Sequence, residues 1–148
     1  MNIFSIGFFK ELEAEEGYRS RLYDDSTGKT LDISKICLGN ATIGIGCNIH
    51  YGISYALARN ILEFQLNDVA EQIAFAYPVF ARLSTRRQEA LIEIAFNCGF
   101  PRFQKFRKML HALVLNDFKT AALECLDSDA ARQLPKRYAR IADKIRNG

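Results

Sequence analysis

Between Gly17 and Asn48 the chain changes its hydrophobic period, and neither an all-α nor an all-β fold accommodates that change. Gly28, Gly39, Gly44 and Gly46 punctuate short stretches such as Arg21-Leu22-Tyr23 and Thr42-Ile43-Gly44-Ile45, whose alternation and β-branched or aromatic content predict strands and turns. Outside that segment the spacing is helical. Before it, Ile6, Phe9 and Leu12 lead to Glu16, one face of a helix whose apolar stripe ends in a carboxylate. After it, Leu62, Leu66, Val69, Ile73 and Ala76 predict a long helix, capped by Ser54 and stopped by Pro78. Thr85 with Gln88 makes a capping-box signal for a central helix carrying Leu91, Ile92, Ala95 and Phe96, which Gly99 stops. Phe103, Phe106, Leu110 and Leu113 continue the pattern. Asn116 or Asp117 caps a helix to Leu126, and Pro135 suits the first turn of the last one. The fold class is therefore α+β and mostly α, with a helix, a small sheet and then a helical bundle. At 148 residues the chain has room for one such domain.

Hydrophobic residues make up 49% and charged residues 25% of the chain, which supplies a core and excludes disordered and fibrous classes. A net charge of +3 permits attraction to an anionic polymer without naming one. The apolar run from Ile3 to Phe9 is broken by Ser5 and Gly7 and has no basic flank, so neither an export signal nor a membrane span is expected. Cys37, Cys47, Cys98 and Cys125 lack CxxC spacing, and His50 and His111 are isolated, so no metal centre is expected. In a reducing cytosol the thiols read as free. Cys98 and Cys125 read as small buried hydrophobes, while Cys37 and Cys47 can still meet across a hairpin.

Chemistry can start from the carboxylates Glu15, Glu16, Asp24 and Asp25. Glycoside hydrolysis needs two carboxyl groups in different environments, one kept protonated by apolar surroundings and one ionised. Glu16, at the end of an apolar stripe, suits the acid; Asp25, in a polar turn beside Ser26, Thr27 and Gly28, suits the ionised partner. Such residues at a helix end and in a turn are more often capping or solvated, so the pairing alone does not identify a site.

A longer pattern does. Glu16-Gly17-Tyr18-Arg19-Ser20-Arg21-Leu22-Tyr23-Asp24-Asp25, in which Asp25 follows Glu16 by nine positions, and then Thr42-Ile43-Gly44-Ile45-Gly46, closely resembles the phage-type lysozymes of glycoside hydrolase family 24, the family of the T-even phage lysozyme. Met1-Asn2-Ile3-Phe4, Phe96-Asn97-Cys98-Gly99 and Pro135-Lys136-Arg137-Tyr138-Ala139-Arg140 extend the resemblance over nearly the whole chain. It implies a lysozyme-like fold in which residues 17–50 form a small N-terminal β-sheet lobe. Residues 1–16 and 51–148 would form the larger helical part, with the cleft between the lobes and the first helix packed on the C-terminal one. It also implies an inverting muramidase cutting the β-1,4 bond between N-acetylmuramic acid and N-acetylglucosamine. Glu16 would be the general acid, Asp25 the carboxylate orienting the attacking water, and Thr42 its helper. Arg137 would lie near Glu16 and touch substrate, Arg140 would pair with Glu15, and Phe96 would line the saccharide site. The implied partner is bacterial peptidoglycan, with no nucleic acid, no stable membrane insertion, no cofactor and a monomeric state. The implied location is the host cytoplasm until a holin-type lesion releases the protein to the periplasmic wall.

The chain departs from that pattern in two places. Sixteen residues, Ser26 to Ala41, separate Asp25 from Thr42, a longer stretch than in the T-even enzyme, so the mutual geometry of Asp25 and Thr42 is what the insertion puts at stake. Cys47 stands where that enzyme has a histidine. Two other functional readings remain open: a noncatalytic muramidase-like domain that binds glycan or a protein, and a bacterial lysozyme specialised for modified peptidoglycan. Arg86, Arg87, Arg102, Lys105, Arg107 and Lys108 interleave with Phe103 and Phe106, but basic residues between core-facing aromatics are what any amphipathic helix shows. Gly44-Ile45-Gly46 lacks the third glycine of a phosphate loop.

Overall fold

The computed structural model describes residues 18–32 and 38–148, and its chain divides into two compact units, Met1–Ala58 and Arg59–Gly148. The expected helix ending at Glu16, together with Glu15 and Cys37, lies outside the described residues. Within them the fold is mostly helical with one small sheet, the α+β class expected.

In the first unit, β1 (Arg19–Asp24), β2 (Ala41–Gly44) and β3 (Cys47–Asn48) form an antiparallel sheet in that order. Tyr23 pairs with Thr42 and Asp24 with Ala41, and the register shifts between Arg19 and Tyr23. The β2–β3 turn is tight because Gly44 and Gly46 both adopt positive φ, 70° and 63°, a region closed to most side chains. The residues after β1 fold back on its other edge: Tyr23 bridges Thr30, and Leu31 N–H donates to Leu22 O at 2.8 Å. Part of the long insertion thus covers an edge that would otherwise expose unpaired backbone groups.

Helix α1 (Tyr55–Ala76) follows, with Ser54 Oγ accepting from Leu57 N–H at 3.2 Å. Only the last turns of its apolar stripe are inside: Ile73 is buried and Val69 half-buried, whereas Leu62, Phe64 and Phe75 are exposed. A short 3-10 helix, Pro78–Arg82, leads to α2 (Thr85–Cys98). The cap of α2 is Ser84, one residue before the expected Thr85. Ser84 has the extended backbone a cap requires and accepts from Arg87 N–H, while the Gln88 amide donates to Phe80 O at 2.9 Å instead of closing a box. Gly99, at φ 81°, stops the helix as expected.

The remaining helices are α3 (Phe100–Phe103), α4 (Arg107–Val114), α5 (Phe118–Leu126), α6 (Asp129–Gln133) and α7 (Pro135–Asn147). Asp117 caps α5 through Thr120 N–H at 2.9 Å. On α7 the buried residues Tyr138, Ile141, Ala142 and Ile145 lie three or four apart, and this stripe packs on α2, α5 and α6. Arg87 ties α2 to the end of α7, donating to Ile145 O at 2.9 Å while its guanidinium lies 3.6 Å from the centre of the Phe118 ring. A cation there suits the partial negative charge of a helix C-terminus. Cys125 is fully buried, and burial pushes its thiol up to about 12. Cys47, Cys98 and Cys125 are free thiols.

The five-residue α6 was not foreseen, because its apolar content is a pair of alanines. Ser128 makes it: its Oγ accepts from Ala131 N–H at 3.1 Å and donates to Cys125 O at 2.8 Å, closing one helix and opening the next. Ser128→Ala is expected to lower stability by about 1 kcal/mol in urea unfolding. No change in the midpoint would remove the cap from the account.

Candidate active site

Asp24 ends β1, and Asp25 is the first residue of the turn that follows it. Asp24 turns inward and is 2% exposed, while Asp25 is exposed. One oxygen of Asp24 accepts from Ser26 Oγ at 2.7 Å, Ser26 N–H at 2.9 Å and Thr27 N–H at 3.2 Å. The other accepts from Leu38 N–H at 2.5 Å and Gly39 N–H at 3.0 Å. Those donors come from both ends of the insertion, so a single carboxylate latches its mouth. The Ser26 hydroxyl, followed by the Gly39, Leu38 and Thr27 amides, holds Asp24 far below the usual carboxylate range, against the opposing pull of burial.

A carboxyl depressed in the folded state stabilises it fully above the unfolded value near pH 4, and that contribution drains away as pH falls through the folded value. Stability of the β unit is therefore expected to decline below about pH 4. The loss should be absent from Asp24→Asn, so the gap between the two proteins narrows in acid. Parallel unfolding curves from pH 6 to pH 2 would show that Asp24 is no latch.

Asp25 continues the β1–β2 ladder by one step. Its N–H donates to Asn40 O at 3.1 Å, while Asn40 N–H reaches Asp25 Oδ1 at 2.6 Å and Asn40 Nδ2 reaches Oδ2 at 2.9 Å. The Asn40 backbone N–H, then its side-chain amide, keep Asp25 below its ordinary value, so it is ionised at neutral pH. Thr42, two residues beyond Asn40, is 3% exposed and donates from Oγ1 to Asn40 O at 3.2 Å. Asp25 and Thr42 thus meet at Asn40. The insertion leaves this junction closed, because its two ends are fastened at adjacent carboxylates before the chain departs. Gly39 is required at the mouth, since a Cβ there would collide with Asp25 Oδ1 and lie 2.7 Å from Ser26 Cβ.

In the helical unit, Phe96 is 39% exposed on α2. Arg137 Nε donates to Glu93 Oε1 at 3.1 Å, and Arg140 Nη2 reaches the same oxygen at 2.5 Å. Lys144 Nζ bonds Glu89 at 3.2 Å and lies 3.9 Å from Glu93. The expected neighbours of Arg137 and Arg140, Glu16 and Glu15, lie outside the described residues. Glu93 was missed, yet a signal was present: Glu89 and Glu93 are four apart on one helix, and Arg137, Arg140 and Lys144 recur at helical spacing on another. Asn40 left no such signal, since an asparagine beside a glycine reads as turn chemistry.

A cavity of about 880 Å³ opens within the helical unit, lined among others by Asn97, Cys98, Lys105, Met109, Ser128 and Leu134. Asp25, Thr42, Phe96 and Arg137 do not line it. Among the described residues no three His, Cys, Asp or Glu side chains cluster as a metal site, and no helix is long and apolar enough to cross a membrane.

A small three-stranded antiparallel sheet in a mostly helical chain is consistent with a lysozyme-like α+β fold. Residues 13–140 match the phage lysozyme family, and the chain belongs to it. Its substrate class is peptidoglycan. No curated protein matches the chain.

Proposed function

We propose that the protein is an endolysin of the T-even type within glycoside hydrolase family 24, cutting the β-1,4 bond between N-acetylmuramic acid and N-acetylglucosamine with inversion. The observation that carries this reading is the exposed, ionised Asp25 tied through Asn40 to Thr42, in a phage lysozyme whose sequence supplies Glu16 nine residues earlier. Glu16 gives its proton to the leaving oxygen as the glycosidic bond breaks. A water held by Asp25 and Thr42 adds to the anomeric carbon from the other face, and its proton passes to the Asp25 carboxylate. Phe96 supplies an apolar face to a sugar ring and Arg137 a cation to the bound glycan. Both carboxyls come from the chain, so the step needs no cofactor. The protein acts as a monomer, waits in the host cytoplasm, and reaches the periplasmic wall through a holin-type lesion.

The test combines turbidity of outer-membrane-permeabilised Gram-negative cells with proton NMR of the sugar ends released from purified sacculi. Clearing, with new N-acetylmuramic acid ends appearing first as the α anomer, is expected for inversion at a β bond. First appearance of the β anomer would overturn inversion. A folded protein that binds sacculi but releases no ends would be a noncatalytic binding domain, and cleavage confined to deacetylated wall would mark a specialist for modified peptidoglycan.

A further inference from the structure

We propose that Asn40 is a positioning residue for this reaction, joining Asp25 and Thr42 into one hydrogen-bonded frame that orients the attacking water; the proposal rests on the roles given to those two residues above. Asn40 contributes four bonds to the frame. Its N–H and Nδ2 donate one bond to each Asp25 oxygen, and its carbonyl accepts from both Asp25 N–H and Thr42 Oγ1. Two consequences follow from counting donors and lone pairs. An ionised carboxylate offers about four lone-pair positions, so each Asp25 oxygen keeps room for a water after Asn40 is served. The Thr42 hydroxyl has spent its only hydrogen on Asn40 O, so towards a water it can only accept. A water that gives one hydrogen to Asp25 and the other to Thr42 keeps its lone pairs for the anomeric carbon, the state required of a nucleophile. If the Thr42 hydroxyl were released from Asn40, it could instead donate to the water and tie up one of those pairs.

The side chain also fits better than its near neighbours. Alanine removes the Nδ2 bond and leaves the Asn40 backbone N–H alone to hold the Asp25 carboxylate, whose last torsion is soft. Aspartate has the same size but sets a second negative charge against Asp25, whose adjoining Asp24 already opposes its ionisation. Asn40 is therefore the residue that holds Asp25 in place without charge.

The experiment measures kcat and KM on soluble peptidoglycan fragments across pH for wild type, Asn40→Ala, Asn40→Asp and Asp25→Asn, with a thermal melt of each. Expected for Asn40→Ala is a fall in kcat of about tenfold or more with KM within about twofold, as for loss of a hydrogen bond to a charged group. The acidic limb of its pH profile should move to higher pH, and that of Asn40→Asp further still. Wild-type kcat and an unmoved acidic limb in Asn40→Ala would overturn the proposal, as would a loss confined to KM. Failure of both Asn40 variants to fold would also overturn it, leaving Asn40 a purely structural residue. Retention of full activity by Asp25→Asn would instead refute the roles of Asp25 and Thr42 themselves.

Discussion

Glu16→Gln is expected to slow clearing of permeabilised cells by a factor of about 10² to 10⁴, the usual worth of a positioned general acid. The carboxamide keeps the size and most of the hydrogen bonding of the acid but has no proton to give to the leaving oxygen. An alkoxide leaving group without that proton is among the poorest in water, so the loss falls on bond breaking. The spacing of Ile6, Phe9 and Leu12 ahead of Glu16 is the sequence reason for proposing it as the acid, since apolar surroundings favour the neutral form of a carboxyl. The loss should therefore appear in kcat, with binding of sacculi retained, because recognition of the glycan does not use the proton. The high-pH limb of the wild-type profile should be missing from the residual activity of the variant. Activity within about tenfold of wild type would move the acid role to another residue.

The second large effect concerns stability. Phe103→Ala is expected to destabilise the helical unit by about 3–5 kcal/mol, the range for emptying a phenyl-sized site that cannot collapse. Phe103 has no exposed surface, stacks on Phe100 with ring centres 6.0 Å apart, and meets the edge of Tyr77 at 5.9 Å. It sits on the four-residue α3, held between Gly99 and the start of α4, so the surrounding backbone has little freedom to close the gap. Against a typical stability of about 5–15 kcal/mol, such a loss removes a large share. Phe75→Ala serves as the control, since Phe75 is 93% exposed and a surface change of this kind stays within about 0.5 kcal/mol. Urea unfolding of the two variants decides the matter, and equal midpoints would contradict the placement of Phe103 in the core.

Burial along the helices shows where sequence reading succeeds and where it stops. The periodicity runs Phe103 and Phe106 into one stripe with Leu110 and Leu113, whereas α3 ends at Phe103 and α4 begins at Arg107. Leu110 and Leu113, three apart on α4, are both buried, because a side chain's azimuth on a helix follows from its position alone. Whether a neighbour covers that azimuth does not follow. Leu62 lies on the same stripe as Ile73, yet Leu62 is 42% exposed and Ile73 has no exposed surface. Helix ends were legible at Ser54 and Asp117, whose side chains each accept from the N–H three residues on, at Gly99, whose positive φ stops α2, and at Pro135, which opens the first turn of α7. At α2 two adjacent hydroxyl residues competed, and the backbone angles of Ser84 decided between them.

At the site, the residue types and the nine-residue interval from Glu16 to Asp25 were in the sequence, because the chemistry demands carboxyl groups and the family resemblance supplied their spacing. The sequence alone determined the α+β class and the helical periodicity, while the choice of Asp25 over its neighbour came with the family resemblance and belongs to the proposed function. Class and periodicity depend on local rules of alternation, capping and composition, which act over a few residues. Tertiary structure decided what joins residues far apart in the chain: the latch from Asp24 to Leu38 and Gly39, the Asn40 bridge between Asp25 and Thr42, and the Glu93 carboxylate shared by Arg137 and Arg140. Partners of this kind are chosen by strand register and helix packing, and both are set by burial summed over the whole unit rather than by any residue's own preference.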